Sequence, residues 1–225
     1  MTARTPRVYL TLRCNLKCWY CSNGFSVADY EELTANEWVG RIQSMPESDV
    51  VLTGGEPTLH PEFYGILNAL APFRAMWVYS NFVKPLDVSR VPVQARIVWR
   101  ASCHAQGVKQ AEDWVANVSA ARQLGQRMIL TTVHCPPEVL DVLRSHSVCV
   151  DTPQEIPPPL LPPVRCTLDR ILVAPDGNRY HCVGKLVRKE PTGIVPYADG
   201  NTVICQAPHL CATCDSVASQ RSPME

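Results

Sequence analysis

The sequence predicts an α/β fold, a partial (β/α)6 TIM-like barrel followed by a small C-terminal cysteine-rich extension. Between residue 7 and about residue 150, short apolar runs rich in β-branched and aromatic residues alternate with amphipathic runs. Strands that alternate with helices favour a parallel, right-handed βαβ series. This stretch is too short for a complete eight-fold barrel, which takes about 250 residues. The prediction is therefore an open barrel of six strands.

Six segments are predicted to be strands buried on both faces, because each is short and nearly continuous in apolar residues. In parallel folds the carboxyl ends of such strands carry the reactive loops. The predicted strands are RVYLTL (7–12), DVVLT (49–53), AMWVYS (75–80), ARIVWR (95–100), RMILTTV (127–133) and SVCV (147–150).

Helical periodicity lies between several of these strands. Thr34 and Glu37 form a predicted capping box in front of an apolar stripe, and Pro46 is expected to end that helix. Other apolar stripes with a period near 3.6 predict further helices. These span residues 63–70, 111–124 and 137–145, whereas residues 82–94 are poorly periodic.

Composition and charge limit the function classes. The 225 residues are 46% hydrophobic and 19% charged, as in ordinary globular proteins. The 21 basic and 21 acidic side chains cancel, and no basic tract indicates a nucleic acid or an anionic membrane as partner. No apolar run is long enough for a signal peptide or a membrane span. We therefore expect a cytoplasmic location, or the host cytoplasm if the protein is viral, and no membrane partner.

Eleven cysteines are many for a cytoplasmic chain of this length. A reducing compartment opposes a disulfide framework, and an odd number cannot pair completely. Clustered cysteines in this setting indicate metal binding instead. The first cluster, RCNLKCWYCS (13–22), follows directly after the first predicted strand.

Cys14, Cys18 and Cys21 are separated by three and then two residues. Four thiolates normally close a four-iron cluster, so three leave one iron open to another ligand. A zinc knuckle is the alternative for this spacing alone. The loop CNLKCWYC resembles the CxxxCxxC loop of the radical S-adenosylmethionine (radical SAM) superfamily, including an aromatic residue, Tyr20, before the third cysteine.

A second motif strengthens that resemblance. TGGEP (53–57), at the end of the second predicted strand, is similar to the family's GGEP motif, whose glycines let the backbone approach the methionine amino group of SAM. The resemblance implies a [4Fe-4S] cluster held by Cys14, Cys18 and Cys21, with SAM on the open iron. By the same resemblance, cofactor contacts come from Tyr20, Gly54, Gly55, Glu56, Pro57, Ser80, Asn81 and Ser102. Turn and strand-capping roles are the alternative for the last three.

The extension carries a second set of cysteines. Cys166, Gly177 and Cys182 resemble the opening signature of the SPASM and twitch extensions on one branch of the family, and CATC (211–214) resembles the closing pair. A structural zinc site is the alternative, because four cysteines also satisfy zinc. Cys205 either replaces one of the four or leaves the cluster open. The resemblance implies an auxiliary [4Fe-4S] cluster in a twitch-like extension, held by Cys166, Cys182, Cys211 and Cys214.

Composition also predicts the domain boundaries. We expect the barrel over residues 1–155 and the extension over residues 166–225. Between them, IPPPLLPPV predicts a stiff, extended linker at 156–165, because proline fixes φ and lacks an amide donor. Two strand-like runs around Asp176-Gly177 then predict a hairpin within residues 170–182.

Four side chains are candidates for direct contact with the substrate. Cys103, His104, His134 and Glu155 follow predicted strands on the same edge as the cysteine loop. A buried cysteine commonly packs as a small apolar residue, and most histidines in such places are hydrogen-bonded structural groups. Both the catalytic and the structural interpretation stay open for these residues.

The resemblance implies a one-electron mechanism. A flavodoxin- or ferredoxin-like reductant supplies an electron, SAM is cleaved, and a 5′-deoxyadenosyl radical removes a hydrogen atom from the substrate. The expected outcome is rearrangement, isomerisation or oxidation of an amino-acid-derived group. The compact chain also resembles phage isomerases that act on glycine-modified thymidine in DNA.

Other hypotheses remain beside this one. The substrate is a peptide, an amino-acid derivative, or a modified nucleotide in DNA. A peptide- or small-alcohol-modifying dehydrogenase or maturase of the twitch type is the enzymatic alternative. A zinc-binding or iron–sulfur scaffold protein is the alternative outside enzymes.

Overall fold

The computed structural model describes residues 5–18, 20–21, 29–148, 152–154, 164–168, 172–180, 182–191, 202–205 and 219–223. The strands are β1 (Arg7–Thr11), β2 (Asp49–Gly54), β3 (Ala75–Ser80), β4 (Ile97–Cys103), β5 (Arg127–Val133), β6 (Thr152–Gln154), β7 (Val164–Leu168), β8 (Leu172–Val173), β9 (Arg179–Tyr180), β10 (Thr202–Cys205) and β11 (Ser219–Pro223). The helices are α1 (Ala35–Gln43), α2 (Phe63–Leu70), α3 (Val108–Arg122), α4 (Pro137–Ser145) and α5 (Val183–Val187).

A sheet of eight strands contains the predicted βα series. Its order is β6-β5-β4-β3-β2-β1-β8-β9, and each neighbouring pair from β1 to β6 is parallel. β8 pairs parallel with β1, and β9 pairs antiparallel with β8. The carboxyl ends of β1 to β6 therefore meet at one edge of the sheet, which we call the top edge.

The strand predictions agree closely for β1, β2, β3 and β5, and two others shift. β4 begins at Ile97 because residues 92–95 form a turn in which Ala95 N donates to Pro92 O. The sixth strand, predicted at 147–150, lies at Thr152–Gln154. Ser147, with φ of +54°, forms a left-handed turn after α4, so the predicted strand does not begin there, and residues 149–151 lie outside the described residues.

The helix predictions differ mainly at the ends. The capping box is confirmed, since Glu37 N donates to Thr34 Oγ1 and Thr34 N donates to the Glu37 carboxylate. α1 ends at Gln43, before Pro46, and the weak 82–94 segment contains only a short 3-10 turn, Val88–Arg90. Among the described residues, no helix has the length and apolarity that a bilayer crossing requires.

The two faces of the sheet differ in burial. On β4, Ile97, Trp99, Ala101 and Cys103 are buried in one core with side chains of the helices. We call this side the outer face. The alternate residues Val98, Arg100 and Ser102 are only half-buried and lie on the inner face. The helices therefore seal the outer face, and the inner face carries polar groups.

The predicted hairpin forms, and it joins the large sheet. Gly177, with φ of +78°, sits in the turn between β8 and β9. Beside it, Tyr9 of β1 packs with Tyr180 and Leu186 in a second apolar cluster. A separate three-stranded sheet has the order β10-β7-β11. Residues 156–163 of the predicted linker lie outside the described residues, so the domain boundaries stay a prediction.

Candidate active site

The three-cysteine loop leaves the sheet at the top edge of β1. Between Tyr9 and Thr11 the register of β1 against β2 shifts, as in a β-bulge, a feature common beside active sites. The Thr11 hydroxyl donates a hydrogen bond to Glu32, and Arg13 forms an ion pair with the same carboxylate at 2.7 Å. These contacts define where the loop begins.

The GGEP segment packs directly on the backbone of that loop. Gly55 N donates to Thr11 O at 2.9 Å, and Glu56 N donates to Arg13 O at 2.8 Å. A Cβ on Gly55 would lie 2.3 Å from Arg13 O, and one on Gly54 would lie 2.1 Å from Thr11 O. Gly54 also has φ of +145°. The glycines are therefore required by the approach of the cysteine loop itself, in addition to the cofactor approach that the resemblance implies.

Glu56 connects the ends of β2 and β3. Its side chain is 1% exposed, and one carboxylate oxygen accepts from Asn81 N at 2.7 Å. The other oxygen accepts from Thr58 N at 3.2 Å and Thr58 Oγ1 at 2.7 Å. Burial raises the pKa of Glu56, and the bonds from Asn81, Thr58 and Ser80 oppose that rise. Pro57, also buried, opens the 3-10 turn that follows.

Asn81 brings the end of β3 to the cysteine loop. Its Nδ2 donates to Asn15 Oδ1 at 2.7 Å and lies 3.8 Å from Cys14 Sγ. The side-chain oxygens of Asn81 and Ser80 each accept from the backbone amide two residues further on, which is the turn role held open above. Ser102 lies half-buried on the inner face of β4, near the top edge.

The other side of the loop contacts the ends of β4 and β5. The Tyr20 hydroxyl lies 2.7 Å from His104 Nδ1 and donates to Val133 O at 3.3 Å. The same His104 nitrogen is 3.9 Å from Cys18 Sγ. The Tyr20 ring centroid is 4.7 Å from that of His134, whose φ is +51°. The structure thus brings both predicted histidines to the aromatic residue of the loop.

Burial shifts the pKa values of His104 and Tyr20 toward their neutral forms. Burial lowers the pKa of His104 to about 4, and the neighbouring His134 lowers it in the same direction. Burial also raises the pKa of the Tyr20 phenol. A neutral His104 can donate or accept a hydrogen bond at pH 7, and it carries no charge there.

Cys103 and Cys135 form a thiol pair behind this cluster. Cys135 Sγ donates to Cys103 O at 3.3 Å, and a hydrogen bond between the two side chains raises the pKa of Cys103 and lowers that of Cys135. Cys103 is fully buried in the outer-face core, which favours the packing role over contact with substrate. Glu155 lies outside the described residues.

The cysteine thiols of the loop are suitable ligands for an iron–sulfur cluster. Cys14 Sγ accepts from Leu16 N at 3.4 Å, and the amide of Asn81 lies near it, as suits a thiolate ligand. In the thiol form, burial raises the pKa of Cys14 to about 11, and metal binding would reverse this by displacing the proton. Within the described residues, no three His, Cys, Asp or Glu side chains converge on one metal ion position. A cubane binds each thiolate to a separate iron, so it does not require such convergence.

The auxiliary cysteines are only partly described. In the register of the three-stranded sheet, Cys166 of β7 pairs with Val203 of β10, and Cys205 pairs with Val164. Cys166 and Cys205 therefore occupy neighbouring strands two positions apart. Cys182 precedes α5. Cys211 and Cys214 lie outside the described residues, so the auxiliary set stays a prediction.

Several residues around the cysteine loop and on the inner face of the sheet were not predicted from the sequence. Asn15 contacts Asn81 across 66 positions of the chain, and Glu32 anchors the start of the loop. Arg100 and Tyr79 lie on the inner face, with the guanidinium carbon 5.2 Å from the ring centroid. The period-2 pattern of the strands places such residues on a face, but it gives no partner for them.

Comparison with known proteins agrees with this geometry. Residues 8–89 match the radical SAM superfamily. A 7-carboxy-7-deazaguanine synthase of Halobacterium salinarum is 37% identical over 73 residues, which is 31% of this chain and 28% of that protein. A probable GTP 3′,8-cyclase of Methanocella arvoryzae is 41% identical over 78 residues, or 33% of this chain and 25% of that protein. The chain thus spans only about a quarter of the length of these relatives.

Solved structures show the same fold. SuiB of Streptococcus suis bound to S-adenosylmethionine has a TM-score of 0.52 at 16% identity, covering 64% of this chain and 39% of SuiB. Native anSMEcpe with bound AdoMet has a TM-score of 0.54 at 16% identity, covering 70% of this chain and 53% of that protein. The predicted partial barrel is therefore confirmed, and so is the resemblance of the cysteine loop and GGEP. Residues 8–89, which contain the cysteine loop and GGEP, are thus similar to the radical SAM superfamily in sequence, and the chain has the fold of SuiB and anSMEcpe.

Proposed function

We propose that this protein reductively cleaves S-adenosylmethionine at a [4Fe-4S] cluster on Cys14, Cys18 and Cys21 and removes a hydrogen atom from an amino-acid-derived group. The observation that carries the proposal is the junction of the cysteine loop with GGEP. There, Gly55 and Glu56 donate backbone hydrogen bonds to the loop at 2.9 and 2.8 Å. The match of residues 8–89 to the radical SAM superfamily supports both the cluster and SAM as cofactors.

The residues around the loop have distinct roles in this proposal. When bound, the cluster and SAM supply one-electron chemistry that generates a hydrogen-abstracting radical. The three cysteines hold iron, and Asn81 donates toward Cys14 Sγ from 3.8 Å. Tyr20, covered by His134, gives the cofactor an aromatic wall that excludes water. The inner face of the sheet below the loop is the place for the substrate.

The proposed outcome is rearrangement, isomerisation or oxidation, with isomerisation of glycine-modified thymidine in DNA as the specific hypothesis. The names of the relatives support other substrates as well, since they include a GTP cyclase and a PqqA peptide cyclase of Rhizobium meliloti. A complex of SuiB with its precursor peptide SuiA supports the peptide-modifying alternative. A flavodoxin- or ferredoxin-like protein is the proposed reductant.

The proposal includes an auxiliary [4Fe-4S] cluster on Cys166, Cys182, Cys211 and Cys214. Its support is the spacing of these cysteines and the hairpin turn at Gly177 between the first two. Cys205 is a fifth candidate, because its strand neighbours that of Cys166. With two clusters the reconstituted protein would hold about eight irons and eight sulfides, and with a structural zinc it would hold four of each and one zinc.

The test begins with anaerobic purification and reconstitution. Iron and acid-labile sulfide are measured first, and 5′-deoxyadenosine is then measured after addition of SAM and dithionite. We expect a brown protein that releases 5′-deoxyadenosine. A colourless protein containing zinc would instead indicate a zinc-binding adaptor, and a brown protein that leaves SAM intact would indicate an iron–sulfur scaffold. Either result would overturn the proposed function.

A further inference from the structure

Arg100, on the inner face of the sheet, has no role in the proposed cofactor site. Arg100 lies in the middle of β4, beside Tyr79 of β3 in the sheet register. Its guanidinium carbon is 5.2 Å from the Tyr79 ring centroid. The guanidinium carbon of Arg7, on β1, is also 5.2 Å from that centroid. Two positive charges therefore flank one aromatic ring inside the partial barrel.

Most hydrogen-bond donors of Arg100 have no acceptor among the residues that the structure describes. A guanidinium has five N–H donors. Its Nε donates to the Thr131 hydroxyl at 3.4 Å, and the four N–H groups of the two terminal nitrogens have no acceptor within the described part of the chain. Nor does any described aspartate or glutamate form an ion pair with Arg100. The terminal nitrogens form the planar fork that matches a carboxylate or a phosphate.

The partial burial of the Arg100 side chain favours binding of an anion that is not part of the protein. The helices seal the outer face of β4, where Trp99 and Ala101 are 0% exposed, so the accessible part of Arg100 faces the interior of the barrel. A half-buried cation without a carboxylate loses hydration, and its contact with the Tyr79 ring offsets only part of that loss. An anion bound at the fork would offset the rest.

We propose that Arg100, beside the Tyr79 ring, forms a subsite that binds a carboxylate or phosphate group of the substrate. The inference rests on the proposed function for its assignment to a substrate. Ser102 is two residues nearer the top edge on the same face, about 7 Å along the strand. His104 follows two residues later and contacts Tyr20. An anion at Arg100 thus places the remainder of the substrate between this subsite and the cysteine loop.

The experiment measures anion binding with saturating S-adenosylmethionine in every sample, so that the amino-acid end of the cofactor is already bound. The anaerobically reconstituted full chain is titrated calorimetrically with inorganic pyrophosphate in one series and with glutarate in another. Wild type is compared with Arg100→Gln, which removes the charge, and with Arg100→Lys, which keeps the charge but loses the fork. Arg96→Gln is the matched control, because Arg96 is exposed just before β4.

We expect wild type to bind at least one probe, and the probe that binds more tightly identifies the phosphate or carboxylate source. Arg100→Gln should weaken binding about tenfold or more, because it removes the charge and the charge-assisted hydrogen bonds to the anion. Arg100→Lys should weaken it severalfold, and Arg96→Gln should not change it. If Arg100→Gln fails to fold, the lysine variant decides.

Three results would overturn the subsite. They are no binding of either probe to wild type at millimolar concentration, unchanged binding in both Arg100 variants, and equal weakening in Arg96→Gln. Release of 5′-deoxyadenosine by the same wild-type preparation is measured in parallel. Wild type that releases it but binds no probe disproves the subsite alone, whereas wild type that does not release it disproves the proposed function.

Discussion

The two sides of the cysteine loop are held in different ways. On the side of Cys14, which we call the motif side, the GGEP end of β2 bonds to the loop backbone, and Asn81 reaches it from β3. On the side of Cys18, which we call the far side, single side chains make the contacts. Tyr20 meets His104 from the end of β4 and the Val133 carbonyl from the end of β5.

The motif side is thus fixed mainly by backbone packing, and the far side by the positions of individual side chains. Backbone hydrogen bonds on the motif side leave no room for a Cβ at Gly55, so almost any substitution there must move the loop. On the far side, a lost hydrogen bond between two neutral side chains costs only about 0.5–1.5 kcal/mol. We therefore expect large effects from changes on the motif side and graded ones from changes on the far side, apart from the metal ligands themselves.

The largest effect is expected from Cys18→Ala, because it removes a proposed ligand rather than a supporting contact. Iron bound at the loop should be lost, and release of 5′-deoxyadenosine should fall below detection. Cys135→Ala is the control, since this cysteine bonds to Cys103 behind the site. Iron and sulfide assays with product chromatography measure both variants. Continued release of 5′-deoxyadenosine by Cys18→Ala would refute the ligand assignment.

Gly55→Ala tests the motif side directly. Its Cβ would lie 2.3 Å from Arg13 O, so the loop or β2 must shift. Overpacking of this kind costs about 1–3 kcal/mol, or a fall in Tm of roughly 2–12 °C for a chain of this size. Thermal unfolding of the holoprotein and its iron content are the measurements.

Gly40→Ala is the matched control for that substitution. Gly40 is exposed in α1 with nothing within 4 Å of a new Cβ, and alanine favours a helix by about 1 kcal/mol over glycine. Its Tm should rise by a few degrees. Equal Tm changes in the two variants would show that the close packing of GGEP on the loop has no energetic consequence.

Glu56→Gln is expected to have a smaller, pH-dependent effect. Glutamine places an NH2 group where one carboxylate oxygen accepts hydrogen bonds, at a cost of about 1–3 kcal/mol. Burial raises the pKa of Glu56, so the folded state takes up its proton more readily than the unfolded state does. The contribution of Glu56 to stability is then greatest below the ordinary glutamate pKa of about 4.3 and declines as pH rises through the folded pKa.

The measurement is the Tm difference between wild type and Glu56→Gln from pH 5 to 8. The advantage of wild type should shrink as pH rises. Glu112→Gln, on the exposed side of α3, should show no such trend. A wild-type advantage that grows with pH would contradict the raised pKa.

The smallest effect is expected on the far side, from His104. His104→Ala removes the partner 2.7 Å from the Tyr20 hydroxyl, and His104→Asn keeps a nitrogen near the position of Nδ1. Loss of one neutral hydrogen bond should weaken SAM binding about two- to tenfold in the alanine variant and less in the asparagine variant. Calorimetric titration with SAM measures this. Equal affinity in wild type and both variants would mean that His104 does not position Tyr20.

The difference between the two sides also explains which parts of the site could be predicted from the sequence. The motif side was predictable because CNLKCWYC and TGGEP are short segments that each follow a strand, and parallel strands bring their ends together. The partial barrel itself followed from strand and helix periodicity, and its comparison with SuiB and anSMEcpe confirms it.

The far side could be predicted only as a set of candidates. His104 and His134 were expected near the top edge, but their contact with Tyr20 depends on how a loop folds back over β4 and β5. Arg100 carried no signal at all, because a single arginine in an apolar strand looks like an irregularity until the neighbouring strand supplies Tyr79. The left-handed conformation of Ser147, at the start of the predicted sixth strand, is likewise marked by no local motif.

The most direct test of the open iron is electron–nuclear double resonance on the reduced, anaerobically reconstituted protein with SAM carrying ¹⁵N in its amino group. We expect a four-iron signal with hyperfine coupling to that ¹⁵N, and no such signal from Cys18→Ala. A reduced cluster that shows no coupling to the labelled nitrogen would contradict the claim that three thiolates leave one iron free for the cofactor.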